Sequence, residues 1–395
     1  MLTQAFIPYK GYYSSPFARW QGSFANQHAI ELGAATARAW LASRQIGPED
    51  FDYLILGATV GQPHIFYGGP WAAALLGAEN ISGVWLSQAC STSTTAVFQA
   101  AMGIETGCYT CVFTLMTDRC SNGPHTVWPN PSGPGGQVIS ENWVMDQFNH
   151  DPWAKNAMIQ TAENVAKEAG IEREQCDAVA LMRYAQYQDA LAHDRAFQKQ
   201  YMFPVTLQMS RKKAVTVEAD EGIMPTTAEG LAGLRPVLPE GAHTFGSQTH
   251  PADGSCGLIV TTKEQSARMS HNPDLDARVV SYGYSRAKKG FMAMAVVPAA
   301  QMALEKAGIK IGDVAVIKTH NPFAANDIFM ADQMGITLSA MNNYGSSLVF
   351  GHPQAPTAGR LIIEGIEELA ARGGGYLLFT GCAAGDTGAA LVVKI

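Results

Sequence analysis

Two stretches of the chain alternate short apolar, β-branched segments with helical patterns, and this alternation constrains the fold more than any other feature. In the first stretch, the strand-like residues 51–60 and 81–86 are each followed by a segment of helical periodicity. The alternation resumes at residue 254 and continues to the C-terminus, without obvious sequence identity to the first stretch. Strands joined by helices return in the same direction, with helices on both faces of the sheet. We therefore predict an α/β fold with two similar halves and mixed, mostly parallel sheets.

Residues 121–247 break this pattern and are predicted to form an inserted lobe. They begin with a loop rich in Pro and Gly, and two charged helical segments follow. Beyond these helices lie Arg211, Lys212 and Lys213, the one notable basic cluster. A contact for a nucleotide phosphate and an ordinary solvated loop both account for such a cluster. The predicted organisation is a first half, the inserted lobe, the last strand of the first half and a second half, at residues 1–120, 121–247, 248–270 and 271–395.

The composition argues against several classes of protein. The 395 residues carry a net charge of −7, so the chain lacks the basic surface that binds nucleic acid. No apolar run reaches the roughly 18 residues that a membrane span needs, and no signal peptide is evident. The seven cysteines are irregularly spaced, as is typical of reduced thiols. We expect a soluble cytoplasmic protein without a metal site, in which Cys108 and Cys111 of a CxxC pair are both buried.

Cys90 lies where the strand at 81–86 is predicted to turn into a helix. Small hydroxylated residues occupy the junction, so the first helical amides are free to face the sulfur. A helix N-terminus carries partial positive charge and lowers the pKa of a thiol. Cys90 is therefore a candidate nucleophile, although a lone cysteine among small residues is also typical of a buried apolar group.

Three further segments place reactive side chains at strand ends or tight turns. His320 ends the strand-like VAVIKTH, His352 lies in a GHP turn, and Cys382 lies in the glycine-rich GCAAGDTG. Taken singly, each is equally typical of a hydrogen-bonded turn histidine or a packed thiol. Open α/β sheets collect their ligand sites at such positions, so we predict that these side chains share one site with Cys90.

The same segments resemble the motifs of the thiolase superfamily over almost the whole chain. SQACSTS at 87–93 resembles the nucleophile segment NQxCGSG, and SNGPH at 121–125 resembles SxxPH. From Met158, MIQTAENVAKEAGIEREQCD is similar to the family's TAENVA and RExQD. GHPQAPTAGR at 351–360 resembles GHPxGASGAR, and GCAAGDTGAA at 381–390 resembles CxGGGxGxA. The resemblance implies a five-layer αβαβα fold, a loop domain that binds coenzyme A, and a homodimer or tetramer.

The resemblance also implies a role for each reactive residue. Cys90 would be the acylated nucleophile, His352 the base that activates it, and Cys382 the acid/base at the α-carbon. One of the two developing oxyanions would accept hydrogen bonds from the amide of Cys90 and from that of Cys382 or Gly385. The other oxyanion would accept hydrogen bonds from His352 and from a water held by His320.

For coenzyme A, which is expected as a substrate and not as a bound cofactor, three contacts are predicted. Met158 opens the TAENVA segment, and Arg211 belongs to the basic cluster. Ser247 lies in GSQTHPADG, where thiolases have AGNxSxxxDG, and is expected to contact the pantetheine arm.

Departures from the family pattern bear on the substrate. HNPF at 320–323 replaces the NEAF of many thiolases and is closer to the HDCF of sterol-carrier-type thiolases, while APTA replaces the GASG after GHP. Aromatic residues of the first loop are candidates to line a bulkier acyl site, namely Tyr12, Tyr13, Phe17 and Trp20. More weakly, the chain resembles the thiolases of anaerobic aromatic degradation, which act on benzoylsuccinyl-CoA and pair with a small zinc-finger/OB-fold subunit.

The function predicted from the sequence is thiolytic cleavage of a 3-oxoacyl-CoA with a bulky or aromatic acyl group. Two alternatives stay open. A biosynthetic Claisen-condensing enzyme of the same superfamily is one, although ketoacyl synthases usually lack a second cysteine such as Cys382. A non-catalytic partner subunit with this fold is the other, although such subunits tend to lose the nucleophile or the GHP turn.

Overall fold

A computed structural model describes all residues from 1 to 395. The strands are β1 (Phe6–Ile7), β2 (Tyr12–Ser14), β3 (Ala18–Arg19), β4 (Tyr53–Gly57), β5 (Ser82–Leu86), β6 (Cys111–Arg119), β7 (His125–Pro129), β8 (Val138–Asn142), β9 (Val205–Ser210), β10 (Lys213–Val217), β11 (Ala252–Thr261), β12 (Ala277–Arg286), β13 (Val314–His320), β14 (Tyr376–Ala383) and β15 (Thr387–Lys394). The helices are α1 (Ala29–Ser43), α2 (Gly68–Leu76), α3 (Thr92–Glu105), α4 (Trp143–Asn149), α5 (Met158–Ala169), α6 (Arg173–Arg195), α7 (Ala228–Ala232), α8 (Lys263–Met269), α9 (Val296–Ala307), α10 (Ala324–Met334), α11 (Ser347–Phe350) and α12 (Ala355–Arg372).

The main sheet runs in the order β13-β14-β15-β12-β1-β11-β6-β4-β5. The short strand β1 joins the two halves, because it pairs antiparallel with β11 on one side and β12 on the other. Parallel pairs lie towards the two ends, at β13 with β14 and at β4 with both β5 and β6. The strands nearer β1 pair antiparallel, as β14 does with β15 and β11 with β6. The sheet is therefore mixed, and the predicted α/β fold is confirmed.

Helices α3 and α12 pack against each other in the interior. Along α12, every residue from Ala355 to Leu369 is buried. Apolar side chains of both helices contribute to the largest hydrophobic cluster, together with strands from both halves of the sheet. A helix buried all round is typical of the centre of a layered fold, where sheets cover it on two sides.

Charged side chains on α12 are compensated within the interior. The guanidinium of Arg360 contacts Asp220 Oδ1 at 2.7 Å and Glu364 Oε1 at 3.0 Å. The hydroxyl of Tyr201 also donates to Glu364. Buried charges are tolerated when each has a partner and further hydrogen bonds. Since Asp220 and Tyr201 lie within residues 121–247, which the sequence predicts to be an inserted lobe, this network attaches that part of the chain to the central helix.

Two hairpins, β7 with β8 and β9 with β10, stand apart from the main sheet. At its edge, β5 exposes Val84 and Trp85 to solvent. No helix combines the length and apolar character that crossing a bilayer requires.

Two expectations about individual side chains are wrong. Cys108 is exposed, because it lies in the turn between α3 and β6 and not in the strand, whereas Cys111 is buried as predicted. Tyr12, Tyr13 and Phe17 are buried in the core and do not line an acyl site. Their segment adds short strands to β11, which turns these rings inward.

Candidate active site

Cys90, His320 and His352 converge at one point between the two halves. Cys90 Sγ lies 3.1 Å from His352 Nε2, and the two imidazole ring centroids are 4.2 Å apart. Cys90 belongs to a short helical turn before α3, and His352 lies just before α12. The packing of α3 on α12 therefore brings together two residues that are 262 positions apart in the sequence.

Local hydrogen bonds hold the nucleophile turn. The hydroxyl of Thr92 donates to Ala89 O at 2.7 Å and accepts from the Gln88 amide at 2.9 Å. Ala89 adopts a positive φ of 45°, an uncommon value for a residue with a side chain. The turn thus presents Cys90 in a constrained backbone, as is frequent at functional sites.

Glycine is required beside the predicted base. Gly351 has a φ of 88°, and a Cβ there would approach the ring of His250 to 2.6 Å. Any other residue would strain the backbone and displace His250, whose carbonyl accepts the His352 amide at 2.8 Å. The glycine of the GHP turn therefore positions His352.

A chain of hydrogen bonds determines the tautomer of His320. Asn321 Nδ2 donates to the carboxylate of Asp327, so its Oδ1 is free to accept from Ser347 Oγ at 3.2 Å. The Ser347 hydroxyl has one proton, and it donates this proton to Asn321. It is therefore the acceptor in its second hydrogen bond, in which His320 Nδ1 is the donor at 2.9 Å. His320 Nε2 therefore carries a lone pair, and this buried atom has no partner among the protein atoms.

His352 is arranged in the same way. Its Nδ1 lies 2.6 Å from Thr357 Oγ1, and its Nε2 faces the sulfur of Cys90. With the proton on Nδ1, the lone pair of Nε2 points at the thiol and is able to accept its proton. Thr357 belongs to the APTA segment, which departs from the family pattern, yet it still places a hydroxyl beside His352 Nδ1.

Cys382 is fully buried at the end of β14, close to Cys90. Asn326 Nδ2 donates to its sulfur at 3.2 Å. An amide donor stabilises a thiolate more than a thiol, so Asn326 supports proton exchange at Cys382. Sequence reasoning did not single out Asn326, although it lies in the segment that follows His320.

The backbone amides of Ala384 and of Cys90 itself act to lower the pKa of the Cys90 thiol. The oxyanion donors expected from the resemblance, the amide of Cys90 with that of Cys382 or Gly385, stay a prediction.

Burial dominates the electrostatics of the site. It raises the pKa of the Cys90 thiol to about 12, outweighing the amides of Ala384 and Cys90, which act in the opposite direction. The expected lowering by a helix N-terminus is therefore wrong in its net effect. Burial lowers the pKa of His320 to about 3, and burial with the neighbouring His320 and His250 holds the pKa of His352 well below its usual value. The resting site consists of a neutral thiol and neutral imidazoles.

Gln354 is a further polar side chain beside the nucleophile. Cys90 Sγ lies 3.5 Å from its Oε1, and its buried Nε2 has no partner among the protein atoms. The backbone of Gln354 has a φ of 60°, so the residue is held in an unusual conformation at the start of α12. A free amide donor here is suited to a polar group of a bound substrate.

The three residues predicted to contact coenzyme A are dispersed. Met158 packs against a hydrophobic cluster that contains Cys382. Ser247 is fully buried, and its hydroxyl accepts the Thr244 amide at 2.9 Å. Arg211 is exposed between β9 and β10. The four reactive residues meet in one site, whereas these three do not.

Comparison with known proteins identifies the family of this chain. The family models for the thiolase N-terminal and C-terminal domains match residues 11–264 and 274–395. The chain belongs to the thiolase family. The β-ketothiolase BktB of Cupriavidus necator is 28% identical over 381 residues, covering 94% of this chain and 95% of the relative. The 3-oxoadipyl-CoA/3-oxo-5,6-dehydrosuberyl-CoA thiolase of Escherichia coli is 26% identical, covering 96% and 97%.

Among solved structures, the acetyl-CoA acetyltransferase of Bacillus anthracis superimposes with a TM-score of 0.91. It is 25% identical, and the match covers 100% of this thiolase and 99% of that chain. The thiolase fold is therefore shown over its full length, and the protein is an acyltransferase of this family.

The raised pKa of Cys90 predicts how the free enzyme reacts with iodoacetamide. The thiolate fraction should rise about tenfold per pH unit below the thiol pKa, so alkylation should accelerate steadily from pH 6 to pH 9. No step is expected near pH 6.5, since His352 stays neutral there. Peptide mass spectrometry must resolve Cys90 from the exposed Cys108. A plateau of the Cys90 rate between pH 6 and pH 8 would contradict the neutral pair and indicate a preformed thiolate–imidazolium pair.

Proposed function

We propose that this thiolase cleaves a 3-oxoacyl-CoA with coenzyme A through an acyl-enzyme on Cys90. The observation that carries the proposal is the 3.1 Å contact between Cys90 Sγ and His352 Nε2, with the second thiol of Cys382 buried nearby. A soft nucleophile with an adjacent base suits attack on a carbonyl, and a separate acid suits protonation of the carbon that departs.

In the first half-reaction, His352 Nε2 accepts the proton of Cys90 as the sulfur attacks the 3-carbonyl of the substrate. The amides of Cys90 and Ala384 receive the oxyanion that forms on that carbon. The bond between the α- and 3-carbons then breaks and its electron pair enters the thioester as an enolate. Cys382 gives its proton to the α-carbon, so the fragment that carries the original thioester leaves, as acetyl-CoA when the α-carbon is unsubstituted, and Cys90 holds the shortened acyl group.

The enolate oxygen needs donors of its own. Because the lone pair of His320 Nε2 is directed into the site, it is suited to accept a hydrogen bond from a water, which presents its other hydrogen to the enolate oxygen. Protonated His352 is the second donor at this oxygen. His320 thus acts through the water as a positioning residue.

In the second half-reaction, the thiolate of Cys382 takes the proton of coenzyme A. The thiol sulfur of coenzyme A attacks the acyl group on Cys90, and the same amides receive the second oxyanion. Cys90 leaves as a thiolate and regains its proton from His352. The new acyl-CoA departs, and both cysteines return to the thiol form.

Two variants separate the roles of the cysteines. Cys90→Ala should form no acyl-enzyme with a thioester when it is examined by intact mass spectrometry. Cys382→Ser should still be acylated but should lose carbon–carbon cleavage by at least about 100-fold, because a buried hydroxyl is a far weaker acid. Full turnover by Cys382→Ser would overturn its acid/base role, and an acylated Cys90→Ala protein would overturn the nucleophile assignment.

For the acyl group we propose a bulky or aromatic substituent, such as that of benzoylsuccinyl-CoA. The support is a small apolar cluster of Val60, Cys120 and Val144, against which Trp20, Trp143 and Phe148 pack. Cys120 Sγ lies 3.9 Å from the carbonyl of His352, so this aromatic cluster adjoins the base. Of the four first-loop aromatics considered from the sequence, Trp20 alone belongs to it.

A substrate panel tests the acyl group. We expect 3-oxoacyl-CoAs with aromatic substituents to be cleaved with kcat/KM values at least about 10-fold above that of acetoacetyl-CoA, because aromatic burial contributes about 1 kcal/mol or more. Phe148→Ala should reduce this preference. The exposed Trp153, whose replacement by Ala should leave the preference unchanged, serves as the matched control. Higher kcat/KM for acetoacetyl-CoA in the unaltered enzyme would contradict the aromatic assignment.

We further propose that coenzyme A lies along the inserted lobe, with Arg211 at its phosphates and Met158 near the reacting end, and that the subunit associates with a second copy. Support for association comes from the edge strand β5, which carries exposed Val84 and Trp85. An unpaired, partly apolar edge is a ready surface for pairing with another chain. A small zinc-finger/OB-fold subunit is the other partner that the resemblance implies.

Native mass spectrometry with an activity assay distinguishes these partners. We expect a homodimer for the purified chain, converted to monomer by Trp85→Lys because a charge would be buried at the edge. Tyr284→Lys, at another exposed aromatic position, is the control and should leave the dimer intact. A monomeric unaltered chain would refute the homodimer, and high activity of the pure chain would refute the need for a zinc-finger subunit.

A further inference from the structure

The reactive cluster has the composition of a transition-metal site as well as that of a catalytic site. Cys90, His320 and His352 each offer one ligand atom, and these three atoms lie within 4.8 Å of one another. In a tetrahedral zinc site, bond lengths of about 2.1 Å to nitrogen and 2.3 Å to sulfur place ligand atoms about 3.5 Å apart. Side-chain adjustments of roughly 1 Å bring the three atoms to that spacing.

We propose that Cys90, His320 and His352 form a binding site for Zn²⁺ whose occupation reversibly blocks the nucleophile. Nitrogen and thiolate ligands favour zinc over magnesium and calcium, which prefer oxygen. The proposal concerns an inhibitory ion and not a cofactor, since the ion occupies the sulfur that the acyl group needs.

Each imidazole has a hydrogen-bond partner on the nitrogen opposite the cluster. Ser347 Oγ accepts from His320 Nδ1 at 2.9 Å, and Thr357 Oγ1 lies 2.6 Å from His352 Nδ1. Metal-ligating histidines almost always make such a bond with the nitrogen opposite the metal, which fixes the ring and its tautomer. Both Nε2 atoms therefore present lone pairs to the same space.

A buried, unpartnered ligand atom is the second observation that points to an ion. His320 is fully buried, and its Nε2 has no partner among the protein atoms. A water bound there satisfies this atom during turnover, and Zn²⁺ satisfies it together with the sulfur. Binding replaces the thiol proton, so that Cys90–SH and Zn²⁺ give a zinc–thiolate bond and one proton released to solvent.

His320 supplies the third ligand of this site. Where many thiolases carry the asparagine of NEAF, this chain has His320, and two ligands alone would hold zinc weakly. With three protein ligands the fourth tetrahedral position stays open, as in catalytic zinc sites, and is available to water or to the thiol of coenzyme A.

Equilibrium dialysis of the full-length protein against Zn²⁺, read by metal analysis, tests the site without any activity measurement. We expect one tightly held zinc per chain in the unaltered protein. Cys90→Ala should abolish this binding and His320→Asn should weaken it at least about 10-fold. The matched control is Cys176→Ser, because Cys176 forms another cysteine–histidine pair, 3.8 Å from His243, and lacks a third ligand. Circular dichroism confirms that each variant is folded.

A second readout uses Co²⁺ in place of zinc. Thiolate coordination should give a near-ultraviolet charge-transfer band, with visible bands of tetrahedral intensity, in the unaltered protein and in Cys176→Ser but not in Cys90→Ala. Zinc should also slow alkylation of Cys90, and a chelator should restore it. Unchanged zinc affinity in Cys90→Ala or His320→Asn, or absence of binding at micromolar zinc, would overturn the proposal. These readouts stand apart from thioester cleavage, so their failure is distinguishable from failure of the proposed function.

Discussion

The packing of α3 against α12 in the middle of the molecule is the constraint on which the rest of the structure depends. Each helix begins at a reactive residue, α3 just after Cys90 and α12 just after His352. Because strands from both halves of the sheet pack on the two helices, the starting points of the helices are held at a fixed distance from each other. The glycine at 351 and the positive φ of Ala89 serve this arrangement, since each allows the chain to turn sharply into its helix.

Because these helices are buried, the ionisable side chains near them are either paired with an opposite charge or kept neutral. Away from the site, charges on α12 are paired, as at Arg360 with Asp220 and Glu364. Within the site, the ionisable groups are held neutral, because desolvation raises the pKa of Cys90 and lowers that of His320 and His352. A neutral thiol beside a neutral imidazole allows the proton to move as the substrate is attacked, and it also leaves three metal-ligating atoms in one pocket.

Much of the fold and the identity of the reactive residues followed from the sequence. The alternation of strand and helix patterns predicted the α/β fold, and the thiolase-like segments named Cys90, His320, His352 and Cys382, which the structure brings together. Errors arose where a prediction depended on the direction of a side chain or on its exposure. Tyr12, Tyr13 and Phe17 lie in the core because their segment pairs with β11.

The sequence by itself determined which chemical groups are available and in what order, since periodicity and short motifs are local properties of the chain. Only the tertiary structure decided how those groups act. The pKa of Cys90 depends on burial and on the amide of Ala384, which is distant in sequence. The tautomer of His320 depends on its contact with Ser347, which is also distant in sequence. Such contacts arise when the two halves close around α3 and α12, and no local pattern records their geometry.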